Sequence, residues 1–265
     1  MNNLIANFSQ VLEFAREYGL PEGKKRGIIR EYLQSMFLAK LYRQPAARKL
    51  VFIGGTSLRL LRDLPRFSED LDFDNLGLSN QQITDLVNKA VKAIRKENIE
   101  LEIKSTIREK KTYFELKFPK ILFDLKITTN PREKLMIKVD YSDFWQGQKS
   151  EKIMLNRYGF LEMVPVLPLN QAIVEKLAAY VNRKQTQARD VYDVAWLFSR
   201  GAGIDRRFLA KNKLINLVKK AQAKWQEEGV SRTMLNKINP FLFDASEARK
   251  LELFGEVLKK LSSEN

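Results

Sequence analysis

The 265-residue chain contains neither cysteine nor histidine, and each absence removes a class of chemistry. Without cysteine there is no disulfide, no zinc site built on thiolates and no thiol nucleophile, so the chain suits a reducing compartment such as the cytoplasm. Without histidine, a general base must be a carboxylate or a lysine, and a metal site must be made mostly of oxygen ligands.

Long apolar runs are missing as well, since no stretch of the sequence is long and apolar enough to cross a bilayer. The first residues, MNNLIANFSQ, lack the basic region, apolar stretch and cleavage site of a secretion signal. We therefore expect a cytoplasmic protein with no membrane partner. A length of 265 residues, 44% of them hydrophobic, suits one large domain or two closely associated ones.

Acidic residues are in the minority. The chain has 47 Lys plus Arg against 32 Asp plus Glu, which gives a net charge of +15 and a pI near 9.8. Such an excess favours a polyanion as the partner, because a small nucleotide alone does not require it. The charge therefore points toward nucleic acid without identifying it.

What is present is concentrated in residues 51–74. The apolar run Val51-Phe52-Ile53 predicts a strand, Gly54-Gly55-Thr56-Ser57 a turn, and Leu58 to Asp63 a helix that ends before Pro65. The alternating segment Ser68 to Asp74 then predicts a second strand. Its alternation would put Asp70, Asp72 and Asp74 on one face and the apolar residues between them on the other.

These pieces fit the chemistry of a nucleoside triphosphate. Two carboxylates one pleat apart can hold one or two Mg²⁺ ions. This cation prefers oxygen ligands and usually binds through one or two carboxylates plus substrate phosphates. A glycine turn before a helix exposes backbone N–H groups that suit a phosphate. Taken singly, an Asp-x-Asp is more often a solvated strand face and a Gly-Gly pair only a turn. Their close succession favours a site.

The remaining sequence predicts helices, then strands, then helices again. The predicted helices before residue 100 are Ile5 to Tyr18, Gly27 to Arg43 and Asn80 to Glu97. The predicted strands after them are Ile99 to Ile107, Thr112 to Phe118, Ile121 to Thr128 and Lys134 to Asp143. Residues 143–169 are interpreted as a connection. Helices Gln171 to Arg183 and Ala188 to Arg200 follow, with three or four more from Asp205 onward.

Basic residues on these helices have two interpretations. Lys24, Lys25, Arg26 and Arg30 form either a solvated face or an RNA-facing patch. The densest cluster comprises Lys211, Lys213, Lys219, Lys220 and Lys224. Such a cluster is usually a solvated helix face, but with the charge of the whole chain it could contact an RNA backbone.

At two places the chain resembles the AbiEii/AbiGii toxin family within the nucleotidyltransferases of the polymerase-β superfamily. The first resemblance comprises Gly54-Gly55-Thr56-Ser57-Leu58-Arg59-Leu60 and Arg66-Phe67-Ser68-Glu69-Asp70-Leu71-Asp72-Phe73, which resemble that family's glycine motif and its R-x-S-x-D-[LI]-D-F motif. The second comprises Glu175-Lys176-Leu177 and Arg189-Asp190-Val191-Tyr192-Asp193.

The resemblance implies roles for individual residues. Asp70 and Asp72 would hold the metals. A third carboxylate from a neighbouring strand would ligate one of the metals and help to deprotonate the attacking hydroxyl. Asp140 is the position that looks like it, with Asp124 as the competitor. Gly54, Gly55, Thr56 and Ser57 would bind the nucleotide's phosphates. Arg66 and Lys176 would support the charge, and Asp190 would orient Lys176. From the helix positions alone, Lys176 could instead extend its ammonium to solvent and Asp190 could favour the first turn of its helix.

The same resemblance implies the fold and function. We expect an α/β (α+β) protein, with a nucleotidyltransferase lobe at residues 1–165 that has an N-terminal helical cap, and a helical lobe at 166–265. The implied activity is Mg²⁺-dependent transfer of a nucleotide from an NTP to an acceptor hydroxyl at the tRNA 3′ end, by a toxin that a separately encoded antitoxin restrains. Phosphorylation of Ser68 would be inhibitory in this scheme, although Ser68 could merely order its turn. The alternatives are transfer to a small molecule or protein hydroxyl, and a nucleotide-binding regulatory protein without turnover.

Overall fold

A computed structural model describes residues 3–107 and 111–263 and divides the chain into two compact units. The first comprises residues 1–63, 67–144 and 152–166, and the second comprises 64–66, 145–151 and 167–265. No helix in the described ranges is long and apolar enough to cross a membrane.

The first unit is built on a seven-stranded mixed sheet. Its strands are β1 (Leu50–Ile53), β2 (Leu71–Asn75), β3 (Glu102–Ile107), β4 (Lys111–Phe118), β5 (Leu135–Ser142), β6 (Glu151–Arg157) and β7 (Phe160–Val166), in the order β3-β4-β5-β2-β1-β7-β6. Strand β1 is antiparallel to β2 and parallel to β7, and β2 is parallel to β5. This arrangement places the Asp-x-Asp strand at the centre of the sheet.

Helices of the first unit pack around this sheet. They are α1 (Asn3–Ala6), α2 (Phe8–Glu17), α3 (Lys25–Tyr42), α4 (Gly54–Arg62), α5 (Asn80–Arg95) and α6 (Ile121–Asp124), with a 3-10 turn at Pro45–Lys49. The predicted single helix from Ile5 to Tyr18 is interrupted at Asn7, a residue type with low helix propensity. Helix α5 begins with a capping box in which Ser79 and Gln82 each bond the other's backbone N–H.

Aromatic side chains form the core on one face of the sheet. Phe73 stacks on Tyr141 with a centroid distance of 4.9 Å, and its ring lies 5.2 Å from that of Phe52. All three are buried. Because side chains alternate along a strand, this apolar face commits Asp72 and Asp140 to the opposite face.

Two of the predicted elements are wrong. The segment Ile121 to Thr128 contains helix α6 instead of a strand, because Pro119 cannot donate a ladder hydrogen bond and Lys120 turns the chain with a φ of +59°. The interpreted connection after Asp143 contains strands β6 and β7. Tyr158 and Gly159 join them with φ values of +52° and +78°, which fit a type I′ hairpin turn.

The second unit is helical, as the sequence predicts. Its α-helices are α7 (Leu169–Asn182), α8 (Ala188–Ser199), α9 (Arg206–Lys211), α10 (Leu217–Glu228), α11 (Arg232–Ile238) and α12 (Phe254–Ser263), with a 3-10 helix at Ala245–Leu251. The segment 64–66 joins this unit through a β-bridge between Arg66 and Leu242 and a bond from the Phe243 N–H to the Pro65 carbonyl.

Candidate active site

The glycine turn is itself the start of a helix. Helix α4 begins at Gly54, four residues earlier than predicted, and Ile53 before it provides no side-chain cap. The first N–H groups of a helix have no partner within the helix. The backbone at Gly54 through Thr56 therefore presents donors and the positive end of the helix dipole.

The Asp72 carboxylate lies directly against this helix start. A methyl group built on Gly54 would come within 2.5 Å of Asp72 Oδ2, and Gly54 has a φ of +77°. Glycine is required here for two reasons, because a side chain would be strained by the backbone conformation and would collide with the carboxylate. The turn and the acidic strand thus meet at Gly54 and Asp72.

The hydroxyls of Thr56 and Ser57 bond to the protein. The Thr56 hydroxyl donates to the Asp70 carbonyl at 2.5 Å, and the Ser57 hydroxyl donates to the Phe52 carbonyl at 3.0 Å. Both residues are buried. They hold the backbone on either side of the turn, so phosphate binding at this turn would depend on the N–H groups.

Strand register brings the third carboxylate alongside. Asp72 on β2 is paired with Asp140 on the parallel strand β5, and Asp70 lies immediately before β2. We call Asp70, Asp72 and Asp140 the acidic edge. Asp74, which the alternation assigned to the same face, is fully buried beside Ser142. Asp124, the competitor of Asp140, is exposed on helix α6, outside the sheet.

Sequence reasoning missed Lys138, whose ammonium lies 2.9 Å from Asp140 Oδ2 and 4.8 Å from the centre of the Tyr113 ring. Burial alone would lower the pKa of Lys138. The hydrogen bond to Asp140 and the charges of Asp140, Asp70 and Asp72 outweigh that effect and raise the pKa above its ordinary value. The sequence feature that could have revealed Lys138 is the alternation of β5, which puts Lys138 and Asp140 on the same face of the strand.

The donor set of the acidic edge fits a hard cation. Within residues 3–107 and 111–263, no three carboxylate side chains converge closely enough to hold a metal ion by themselves. Carboxylate oxygens are nevertheless the ligands that Mg²⁺ prefers, and it commonly uses one or two of them with substrate phosphates and water completing the shell. Asp72, at a helix start suited to phosphate, provides that combination.

Helix α3 holds the loop that carries Ser68. The Gln34 side-chain amide donates to the carbonyls of Ser68 and Glu69 at 3.2 and 2.9 Å. Arg30, one turn earlier, lies 3.3 Å from the Glu69 carboxylate and is largely buried. Arg30 is therefore engaged with the site loop and does not belong to a solvated face.

In the second unit, the other signature forms a buried ionic network around Asp193. The Arg66 guanidinium donates to both Asp193 oxygens at 2.7 and 2.6 Å and is 1% exposed. The Lys176 ammonium lies 2.7 Å from Asp193 and 3.5 Å from Asp190. Arg183 lies 3.3 Å from Asp190. The family resemblance paired Lys176 with Asp190, and these two side chains do lie close together. It did not indicate that Asp193 is the carboxylate that both Lys176 and Arg66 contact.

The charges in this network support one another. Burial would raise the pKa of Asp193, but Arg66 and Lys176 outweigh it and hold the pKa below its ordinary value. Burial would lower the pKa of Lys176, but Asp193 and Asp190 outweigh it and raise the pKa. Asp193 and Lys176 are therefore both ionised at neutral pH. The resemblance implied that Arg66 supports the charge of the phosphates. In this structure its guanidinium makes a bidentate hydrogen bond to Asp193 instead.

The predicted basic cluster divides into two kinds of lysine. Lys224 donates to the carbonyls of Tyr180 and Arg183 at 2.7 and 2.8 Å, and so satisfies the end of helix α7. The other four, Lys211, Lys213, Lys219 and Lys220, are exposed. Among the five lysines of the cluster, these four are the ones that present their charge to solvent.

Comparison with known proteins gives a consistent result. The model of a family described as nucleotidyl transferase AbiEii toxin, type IV toxin–antitoxin system, matches residues 36–260. The crystal structure of JHP933 from Helicobacter pylori has a TM-score of 0.58 at 20% identity, over 91% of this chain and 95% of that one. A predicted nucleotidyltransferase from H. pylori has a TM-score of 0.55 at 21% identity, over 91% and 99% of the two chains. No curated protein matches the chain. The predicted fold is confirmed by these neighbours.

Proposed function

Because the chain belongs to the AbiEii nucleotidyl transferase toxin family of type IV toxin–antitoxin systems, we propose that it transfers a nucleotidyl group from an NTP to a hydroxyl at the tRNA 3′ end, with Mg²⁺ as cofactor. One observation carries the proposal: the Asp72 carboxylate lies against the uncapped start of helix α4 while Asp140 lies beside it in register. Metal ligands and phosphate donors are thereby adjacent.

The residues of the first unit have separate tasks in this reaction. Asp70 and Asp72 would hold Mg²⁺, which supplies charge neutralisation at the triphosphate and at the attacking oxygen. The N–H groups at Gly54 and Gly55 would bind phosphate oxygens. Thr56 fixes the Asp70 backbone through its hydroxyl. The acceptor hydroxyl attacks the α-phosphorus, loses its proton to a carboxylate or water, and pyrophosphate leaves.

The Asp193 network has a supporting task in the proposal. Lys176 would carry positive charge for the triphosphate, as the family resemblance implies, and Asp190 would orient its ammonium. Arg66 holds Asp193 with both of its donors. We therefore assign Arg66 to the positioning of Asp193, which in turn holds Lys176.

The acceptor and partners follow from charge and family. A net charge of +15 favours a polyanionic acceptor, and tRNA satisfies that requirement. A type IV toxin implies an antitoxin that restrains it. Transfer to a small molecule or a protein hydroxyl, and nucleotide binding without turnover, remain as outcomes of the experiment.

The experiment measures incorporation of each labelled NTP into total tRNA with Mg²⁺, for wild type, Asp70→Asn and Lys176→Ala. We expect transfer by wild type and its collapse in Asp70→Asn, since the amide keeps the shape but removes the anionic ligand, while thermal unfolding changes little. Asp124→Asn is the matched control and should transfer like wild type. Transfer that survives in Asp70→Asn would falsify the metal assignment. If the wild-type protein transfers no nucleotide to RNA but is stabilised against thermal unfolding by NTP and Mg²⁺, the result would favour a small-molecule or protein acceptor, or nucleotide binding without turnover.

A further inference from the structure

The proposed reaction gives no role to Lys138, although its ammonium lies at the acidic edge. It is 2.9 Å from Asp140 Oδ2, and Asp140 is the register partner of Asp72. The Tyr113 ring lies on another side of the ammonium, with its centre 4.8 Å away. A lysine held by both a carboxylate and an aromatic face has a defined position, unlike a solvated lysine.

Lys117 shows what an ordinary ion pair on this sheet looks like. It lies on the adjacent strand β4, on the face shared with Lys138, and is 2.8 Å from Glu115. The two lysines are similarly exposed, at 32% and 34%. Their partners differ, since the Asp140 carboxylate is 11% exposed and neighbours the proposed metal ligand. The position of the partner therefore distinguishes Lys138.

The place of the Lys138 ammonium gives it a task. It occupies Asp140 Oδ2, an oxygen that a second divalent cation would need as a ligand beside Asp72. A second divalent cation bound to that oxygen would lie close to the ammonium. Like charges that close together repel strongly where water is partly excluded.

We propose that Lys138, held by Asp140, takes the place of a second divalent cation, so that this chain binds one metal ion with its nucleotide instead of two. The inference rests on the proposed function, because it takes Asp70 and Asp72 as the metal ligands. It makes Lys138 a positioning residue and gives Asp140 the task of holding its ammonium.

The test counts bound Mn²⁺ by electron paramagnetic resonance, at saturating concentrations of an NTP analogue whose α,β-bridging oxygen is replaced by a methylene group. We expect one Mn²⁺ per full-length chain in wild type and in the Lys117→Met control, and two in Lys138→Met. The Lys138→Met/Asp140→Asn double variant should return to one, because the second ion requires the Asp140 carboxylate. Thermal melts check folding, and Lys138→Gln replaces Lys138→Met if that variant unfolds.

The outcomes separate this inference from the proposed function. Two Mn²⁺ ions in wild type, or one in both Lys138→Met and Lys138→Gln, would overturn the role of Lys138 and leave the proposed function standing. Mn²⁺ binding that is identical in wild type and in Asp70→Asn would overturn the metal site itself, and the inference with it.

Discussion

Gly54 is the single residue on which the geometry of the site depends most directly. Its φ of +77° is a conformation that other residues rarely adopt, and its missing side chain is what allows Asp72 Oδ2 to approach. Gly159 provides a matched comparison in the same unit. It has a φ of +78°, but an added Cβ there would meet nothing within 4 Å.

Gly54→Ala should therefore abolish nucleotide transfer, while Gly159→Ala should not. Both changes place alanine in a left-handed conformation, which costs about 1–3 kcal/mol of unfolding free energy. Only the first also displaces the Asp72 carboxylate. The measurements are NTP incorporation and thermal unfolding of both variants. Equal loss of transfer in the two would show that backbone strain, and not the contact with Asp72, is responsible.

Ser68 is the residue through which the site could be switched off. It lies two positions before Asp70, in the loop that Gln34 holds through two carbonyls. A phosphate there would add about −1.5 to −2 charges near the metal carboxylates. We propose that Ser68→Glu lowers transfer strongly while Ser68→Ala retains it, measured as NTP incorporation. Unchanged transfer in Ser68→Glu would remove the mechanism for regulation at this serine.

Between elements, buried ion pairs tie helices α7 and α8 of the second unit together. Lys176 on α7 meets Asp193 and Asp190 on α8, and Arg66 joins from the segment 64–66. Removal of one partner from such a pair leaves the other charge buried and uncompensated. This tie contributes to the pH dependence of the helical unit's stability.

Asp193→Asn should destabilise the protein by about 3–5 kcal/mol at neutral pH, the usual cost of breaking a buried pair. The pKa of Asp193 is lowered in the folded state, so its stabilisation is full above the unfolded pKa of about 3.9 and is lost as pH falls through the folded value. Unfolding by urea between pH 3 and 7 should therefore show a weaker acid dependence in the variant.

The control for that measurement is Glu256→Gln, which breaks an exposed pair with Lys259 on helix α12. It should leave stability at neutral pH unchanged, because exposed pairs contribute little. If Asp193→Asn behaved like this control, the network around Asp193 would not support the fold.

At the scale of the whole molecule, the +15 charge is the property that bears on the acceptor. Binding to phosphates releases counterions, so log affinity for tRNA should fall linearly with log salt, by about 0.9 or less per neutralised phosphate. We expect Lys219→Gln/Lys220→Gln to make this slope shallower by about one for each lysine that contacts phosphate.

Two exposed lysines on another helix of the same unit provide the control. Lys259→Gln/Lys260→Gln removes the same charge from helix α12 and should change the slope less. The measurement is tRNA binding by fluorescence anisotropy over a range of salt concentrations. An affinity that does not vary with salt, or an equal effect of both pairs, would argue against RNA contact by α10.

Local patterns predicted the parts of this protein that local physics controls. The alternation around Asp72 and along β5 fixed which side chains share a face, since the strand period is two. The glycine motif and the pair Lys176 and Asp190 were recognisable from neighbouring residues. By contrast, the prediction of a strand over Ile121 to Thr128 was wrong. A short apolar run has no periodicity by which a strand can be distinguished from a helix.

Tertiary structure alone decided which distant groups meet. Strand pairing put Asp140 beside Asp72, and the docking of segment 64–66 put the Arg66 guanidinium on Asp193, 127 positions away. Strand β6 also escaped detection, because it lies at the edge of the sheet and carries exposed charged and polar residues, a composition typical of loops. The composition fixed the available chemistry, as oxygen ligands without histidine or cysteine. Long-range packing selected the acids that face the glycine helix, because pairing partners are set by burial of whole faces and not by sequence neighbours.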